Sequence, residues 1–583
     1  MRPRLCCFLL AVVSACSRTN EPKLVQTRQE LQAPVRVVFD RSAEVPKETG
    51  ELTVFKLTPA PPRRDFLEYL PRAQRDAAAR QATIEFHPDF QRLKEYTLQQ
   101  DQAGDIAKDA FSKMQTALDD DGITTIVPRE ARTLGYARAR RAPMNGPDRY
   151  DEAKSTSLYV SLQRRVGKWP VDGPGSRFSV AVAPDRKLVG AIYYWKRPTR
   201  TNSVAPLKEL VVKDKIREQI LTAKPESPVH VKRIELAYYD ADGQFLQPVY
   251  RYVAEYLRSK SSVGRTQLVV GYIPLSSAKE VIQEIKPDLS ADLITNLEPI
   301  ADNRPSSTTP LPQRDTSVAI GRYVTFRDSM GFGQDAREFW RELSLATGDL
   351  QFSNAQHIET GPLLFGTRKD WFVNSVDLAL VEAHGFPFGF MTFRDTDGPF
   401  DVRLDLPLDG YGMDARGRLK HWVLHSCRAV PGGVDYKEWA LPWWDVFSGL
   451  SSVLGYRSSM FVEDEAGATF AKSVRINSAI VPAWLSVVAS LNVYGPDGWV
   501  TKTECTNNEP MGRAAAIAVC DEGSKARVTD ASRPRPDCLE AWWLNDALVT
   551  PGAASASSPT TSPASDCPQQ GGPKTPYVLS SPK

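Results

Sequence analysis

Two nearly continuous apolar runs dominate the hydrophobic pattern of this chain. The first is Val376-Asp377-Leu378-Ala379-Leu380-Val381-Glu382 and the second Leu419-Lys420-His421-Trp422-Val423-Leu424. Apolar residues at odd and even positions alike suit strands buried on both faces, as in a parallel sheet. The run over 318–326 reads the same way. Behind it, Asp335 reads as an N-cap with Glu338 three residues on, a capping-box pattern. Phe339, Trp340, Leu343 and Ala346 then share one helical face, and Gly348 ends it. A further helix is predicted over 442–450, from Trp443, Val446, Phe447 and Leu450. The pattern predicts an α/β domain over 317–545, a mostly parallel sheet flanked by helices.

The N-terminal half has a different rhythm. A strand-like run over 51–57 precedes a helical, Arg- and Ala-rich stretch over 65–80. Helical spacing recurs over 105–118, with Ile106, Ala110, Phe111, Met114 and Leu118 apolar. Strands are predicted over 157–163, 177–182 and 188–195, a helix over 207–222, and strands over 231–239 and 246–254. Asp240-Ala241-Asp242-Gly243 joins the last two as a hairpin turn. Glycine at the fourth position and the lack of a closing Glu argue against calcium there and at Asp395. We read 51–284 as a smaller α+β region. Residues 285–316, proline-bearing and containing Ser306-Ser307-Thr308-Thr309, read as a linker. Residues 546–583, rich in Ser, Pro, Ala and Gly, read as a disordered tail.

Composition adds a compartment. Arg2 and Arg4 precede a short apolar run, and Val13-Ser14-Ala15 places small residues before Cys16. That is the layout of an export signal. Residues 1–16 resemble a bacterial lipobox, which implies lipidation of Cys16 and an N-terminal lipid holding the chain to the membrane; residues 17–50, polar and bearing Gln, Arg and Pro, read as a tether. Ser17 after the cysteine implies the outer membrane. The formal charge of +3 falls to +1 once Arg2 and Arg4 leave with the signal. Arg138, Arg140 and Arg141 form the densest basic cluster and read as a solvated face; no nucleic-acid partner is expected.

Eight cysteines are present. Exported proteins sit where disulfides persist. Cys505, Cys520, Cys538 and Cys567 are the bridge candidates, with three possible connectivities. Cys427 is left over. It ends the second apolar run, as His425-Ser426-Cys427, while the first run ends at Ala383-His384-Gly385. In open α/β sheets, sites assemble past the C-terminal ends of strands. If the two strands are neighbours in register, His384 and Cys427 face each other, 43 residues apart. A thiolate is the nucleophile and an imidazole manages its proton. Glycine at 385 permits close approach, and its N–H is a candidate oxyanion donor. His425 is an alternative base. A zinc site from His384, His421, His425 and Cys427 matches no common spacing, so no metal or other cofactor is expected. Asp377 and Asp445 read as a strand-start charge and a first-turn helix charge.

His384-Gly385 and Ser426-Cys427, each closing an apolar strand, resemble the caspase/gingipain superfamily of cysteine peptidases. The resemblance implies a caspase-like sheet, Cys427 as nucleophile, His384 as its partner, Gly385 in the oxyanion hole, and a peptide or protein substrate. Ala383 stands where many relatives carry Gly or Ser. The repeated helix-then-hairpin order of the N-terminal half resembles the PepSY-type module, a binding or inhibitory unit. As a whole, residues 100–500 resemble an uncharacterised family of secreted bacterial proteins that pairs the two. A catalytically inactive binding or structural lipoprotein is the alternative reading.

Overall fold

The structure, a computed structural model, describes residues 36–549 apart from 48–49, 76–82, 119–120, 143–145, 223–227, 258–265, 276–316, 326–331, 347–349, 359, 393–399, 405–409, 413–416, 461–464 and 492–511. The expected signal with Cys16, the expected linker and tail, and Cys505 and Cys567 lie outside the described residues. No helix among the described residues is long and apolar enough to cross a membrane.

Five strands form the parallel part of the sheet. They are β1 (Ser317–Val324), β2 (Gln351–Ile358), β3 (Leu378–Glu382), β4 (His421–His425) and β5 (Ser452–Tyr456). Their order is β2–β1–β3–β4–β5, with every neighbouring pair parallel. Then the direction alternates. β6 (Ala514–Val519) runs antiparallel to β5, and β7 (Cys538–Val549) runs antiparallel to β6. β7 pairs in turn with Thr124–Arg140, from the N-terminal half. Antiparallel pairings carry the sheet on through Lys154–Val166, Arg177–Val182, Leu188–Tyr194 and Thr83–Phe86. Trp169–Asp172 pairs both with Lys154–Val166 and with Val229–Asp240, which joins a further group of strands.

The fold is therefore α/β with one large mixed sheet, and the expected mostly parallel sheet is corrected. The cause is long-range pairing. Cys538 to Val549 aligns with Arg140 back to Ala131, so the N-terminal strands extend the sheet of the C-terminal half. Part of the stretch read as tether is also paired: Val37–Phe39 runs parallel to Val229–Val231.

Alternation along β3 and β4 separates two cores. Leu378, Leu380 and Val423 face one, together with Phe339, Phe470 and Trp484. These last three come from helices α1 (Phe332–Ser344), α2 (Glu465–Arg475) and α3 (Ile480–Ser490). Ala379, Val381, Ala383, Trp422 and Leu424 face the other core, with Phe365, Tyr411, Trp439 and Trp443. A strand covered on both sides needs the continuous apolar run that the sequence carries. Each fully buried large apolar side chain contributes about 1.5–3 kcal/mol, so these two layers hold the strand ends firmly. The helix predicted over 442–450 is instead a short 3-10 turn, Leu441–Trp443, with Pro442 inside it.

Among the described residues, two of the bridge candidates form a pair. Cys520, just past β6, is disulfide-bonded to Cys538 at the start of β7. The hairpin alignment already brings their backbones together, since the Cys520 N–H donates to the Cys538 carbonyl at 3.1 Å.

Candidate functional site

β3 and β4 are adjacent, parallel and paired with a constant offset: Leu378 opposite His421, Val381 opposite Leu424, Glu382 opposite His425. The same offset continued two residues past each strand reaches His384 and Cys427. Both are half-buried. The two turns are tied directly. The Ser426 hydroxyl donates to the Ala383 carbonyl at 2.7 Å, and the Ala383 N–H to the His425 carbonyl at 3.4 Å.

Gly385 sits against the backbone of Cys427. A Cβ on residue 385 would fall 2.2 Å from the Cys427 carbonyl oxygen, closer than real Cβ atoms come to anything. Only glycine fits between the turns. Beyond it, Gly385–Phe386 opens a small antiparallel sheet with Gly389–Thr392 and Phe400–Arg403. The Met391 N–H donates to the His384 carbonyl at 2.8 Å, which fixes the backbone under the imidazole. The imidazole ring meets the edge of Phe332, the first residue of α1, at a centroid distance of 5.3 Å.

The Cys427 sulfur lies beside the backbone of Met460. The Met460 N–H donates to Sγ at 3.4 Å, and Sγ is 3.7 Å from the Met460 carbonyl oxygen. Arg428, next in the chain, takes a left-handed conformation, φ 57°, and its N–H donates to the Ser458 carbonyl. The chain thus turns sharply at the end of β4, with the thiol at the bend.

Directly below lies a second set of groups. Glu382, His425 and Asp335 are all fully buried. The His425 Nδ1 is 2.6 Å from Glu382 Oε2 and 3.2 Å from Asp335 Oδ2. The Gly467 N–H, from α2, donates to Asp335 Oδ1 at 2.8 Å. Burial alone raises the pKa of Glu382; His425 opposes this, the nearby Asp335 adds to it, and the result lies well above the usual carboxylate range. Burial alone would lower His425, but Glu382 and Asp335 beside it raise it well above the usual imidazole range. Both directions mean that protons are retained in the cluster.

Sequence reasoning met this set only in part. His425 was expected as an alternative base for Cys427; it lies against two carboxylates instead. Asp335 was expected to cap its helix. The helix begins three residues earlier, at Phe332, and the Asp335 side chain turns inward to the cluster. Glu382 drew no notice, although a carboxylate closing a strand buried on both faces is itself a signal of a paired or functional charge. The four residues weighed and set aside as a zinc set, His384, His421, His425 and Cys427, are not all brought together. His421 is at the far end of β4, with Nδ1 2.9 Å from the Ser452 hydroxyl and Nε2 3.2 Å from the Arg527 carbonyl. Burial holds its pKa down to about 3. Asp377 likewise lies at the start of the strand, paired with Arg418 and with Lys420 at 3.1 Å. Asp445 pairs with Arg535 at 2.7 Å, and Arg138 of the basic cluster pairs with Asp521 at 2.9 Å.

The comparisons with known proteins give a domain but no activity. No curated protein matches the chain. Among solved structures, an uncharacterized protein from Eubacterium rectale is similar at 10% identity and a TM-score of 0.17, over 22% of this chain and 43% of that one. The match thus spans less than half of that protein's length. Residues 345–515 match the family described as a domain of unknown function, DUF6345, a span that holds Glu382, His384, His425 and Cys427 and leaves out Asp335.

Proposed function

We propose that the chain is an exported, lipid-anchored envelope protein whose C-terminal half performs cysteine-peptidase-type acyl transfer with His384 and Cys427. The observation that carries the chemistry is the pairing of β3 with β4, Glu382 opposite His425, which sets the two reactive residues at matching positions on adjoining turns. The close fit of Gly385 against Cys427 adds to it. In this reading the Cys427 sulfur attacks a peptide carbonyl carbon while His384 takes the thiol proton. The tetrahedral intermediate collapses as His384 gives that proton to the departing amine. Water then attacks the thioester, releases the acid and restores the thiol. The Met460 N–H, already directed at Sγ, stabilises developing negative charge on sulfur. The oxyanion role of Gly385 and the caspase-like and PepSY-like parentage belong to the same proposal. So do the lipid on Cys16, the outer-membrane location and the peptide substrate.

A second reading has its own support. Sγ contacts both the N–H and the carbonyl of Met460, which is how a packed, inert thiol is held. That favours a recognition or structural module without turnover. A mixture-based peptide library separates the two. Cleavage by the wild-type chain that is abolished in Cys427→Ala and in His384→Ala supports the peptidase reading. No cleavage by any form favours the second, and products unchanged in Cys427→Ala overturn Cys427 as the nucleophile.

A further inference from the structure

The buried cluster beneath the two turns has the composition of a metal site, and we propose that Asp335, Glu382 and His425 bind one divalent transition-metal ion. The three ligating atoms lie within 4.8 Å of one another. They come from three elements: the first turn of α1, the end of β3 and the end of β4.

Charge is the first argument. Two carboxylates share a space closed to water with one imidazole between them, and among the described residues neither makes an ion pair with any Lys or Arg besides. A buried charge needs a partner of opposite sign or a metal. A divalent cation in place of the retained protons, with two carboxylates and a neutral imidazole, also sums to zero. The second argument is the set of polar atoms left over. Glu382 Oε1 is buried without a hydrogen-bond partner, and Asp335 Oδ2 shares with Glu382 Oε2 the single His425 Nδ1, at 3.2 Å and 2.6 Å. Native interiors satisfy such atoms almost without exception. Spacing is the third. Ligands at about 2.0–2.2 Å from a metal ion lie roughly 3–3.5 Å apart, so the 3.2 Å edge fits and the 2.6 Å edge needs only a small opening.

Two oxygens and one imidazole nitrogen select Zn²⁺ or a similar first-row ion over calcium, which takes six or more oxygens. The Gly467 N–H on Asp335 Oδ1 supplies the supporting contact that orients a ligating carboxylate. The ion would lock the ends of β3 and β4 to α1, two residues below His384 and Cys427. This site stands whether or not that pair is catalytic.

The test uses the full chain, stripped with chelator and then titrated with Zn²⁺ by calorimetry and with Co²⁺ by visible spectroscopy. One equivalent of Zn²⁺ is expected for the wild type and for Cys427→Ala. Asp335→Asn, which keeps Oδ1 for the Gly467 N–H, and Glu382→Gln should lose it. Near-UV circular dichroism checks that each variant is folded, and Asp335→Asn is decisive if Glu382→Gln fails to fold. The Co²⁺ complex should lack a thiolate charge-transfer band. No Zn²⁺ uptake by the wild type, uptake retained in folded Asp335→Asn, or uptake lost in Cys427→Ala with a thiolate band in the wild type would each overturn the proposal.

Discussion

Glu382 and His425 are opposite residues on adjacent parallel strands, and their side chains meet at 2.6 Å in an interior closed to solvent. The chemistry and the metal site proposed for the C-terminal half both start from that contact. It fixes the ends of β3 and β4, and two residues further on lie His384 and Cys427.

Breaking the contact from one side should be costly. Glu382→Ala leaves His425 facing a void and a single carboxylate, and removing one member of a buried ion pair costs about 3–5 kcal/mol. The urea midpoint should fall accordingly. Glu382→Gln keeps an acceptor for Nδ1 and should lose clearly less.

Gly385→Ala places a methyl group on the Cys427 carbonyl oxygen. Neither side is a flexible side chain, so the two turns must separate. Overpacking of this kind costs roughly 1–3 kcal/mol. The predicted signature is a lowered melting temperature together with an altered alkylation rate at Cys427. A melt and a rate both equal to the wild type would contradict the close packing of the turns.

Acid should destabilise the fold through His421. Its folded pKa is about 3, held down mainly by burial. The unfolded side chain titrates near about 6.5, so below that pH the unfolded state binds more protons and stability falls. The contribution is intact above about pH 6.5 and amounts to a loss of roughly 2 kcal/mol by pH 5. His421→Gln should flatten that part of the stability–pH curve, measured by urea unfolding between pH 7 and pH 4.

The disulfide between Cys520 and Cys538 closes a short loop, 18 residues in sequence. Crosslinks of this size stabilise by about 3 kcal/mol, chiefly through the unfolded chain. Cys520→Ser with Cys538→Ser should lower the melting temperature while leaving Cys427 equally reactive, since the bridge lies just past Val519, at the sheet end that holds Ser452 and His421, and Cys427 lies past the opposite end of β4. A mass-mapped alkylation profile before and after reduction checks both points.

How much of this was legible in the chain differs element by element. β3 and β4 announce themselves because both faces are covered, so Leu378 to Val381 and Trp422 to Leu424 must all be apolar. Their pairing stood only as the condition on which His384 and Cys427 would face each other, and the structure meets it. The mixed sheet was hidden because its decisive contact joins Thr124–Arg140 to β7, hundreds of residues apart. The first of these strands carries Arg129, Arg132 and Arg138, which masks it; Arg129 is buried and donates to the Leu491 carbonyl. Asp335 was misread because an inward-facing acid in a first helical turn has the same sequence signature as a cap.

The most direct test is the rate at which Cys427 reacts with iodoacetamide at neutral pH in the folded chain, followed by peptide mass mapping. If His384 serves Cys427, the wild-type thiol should react on the order of tenfold or more faster than in His384→Ala, reflecting a larger thiolate fraction. Equal rates in the two proteins, or a Cys427 that stays unmodified until the chain unfolds, would contradict the proposed pair.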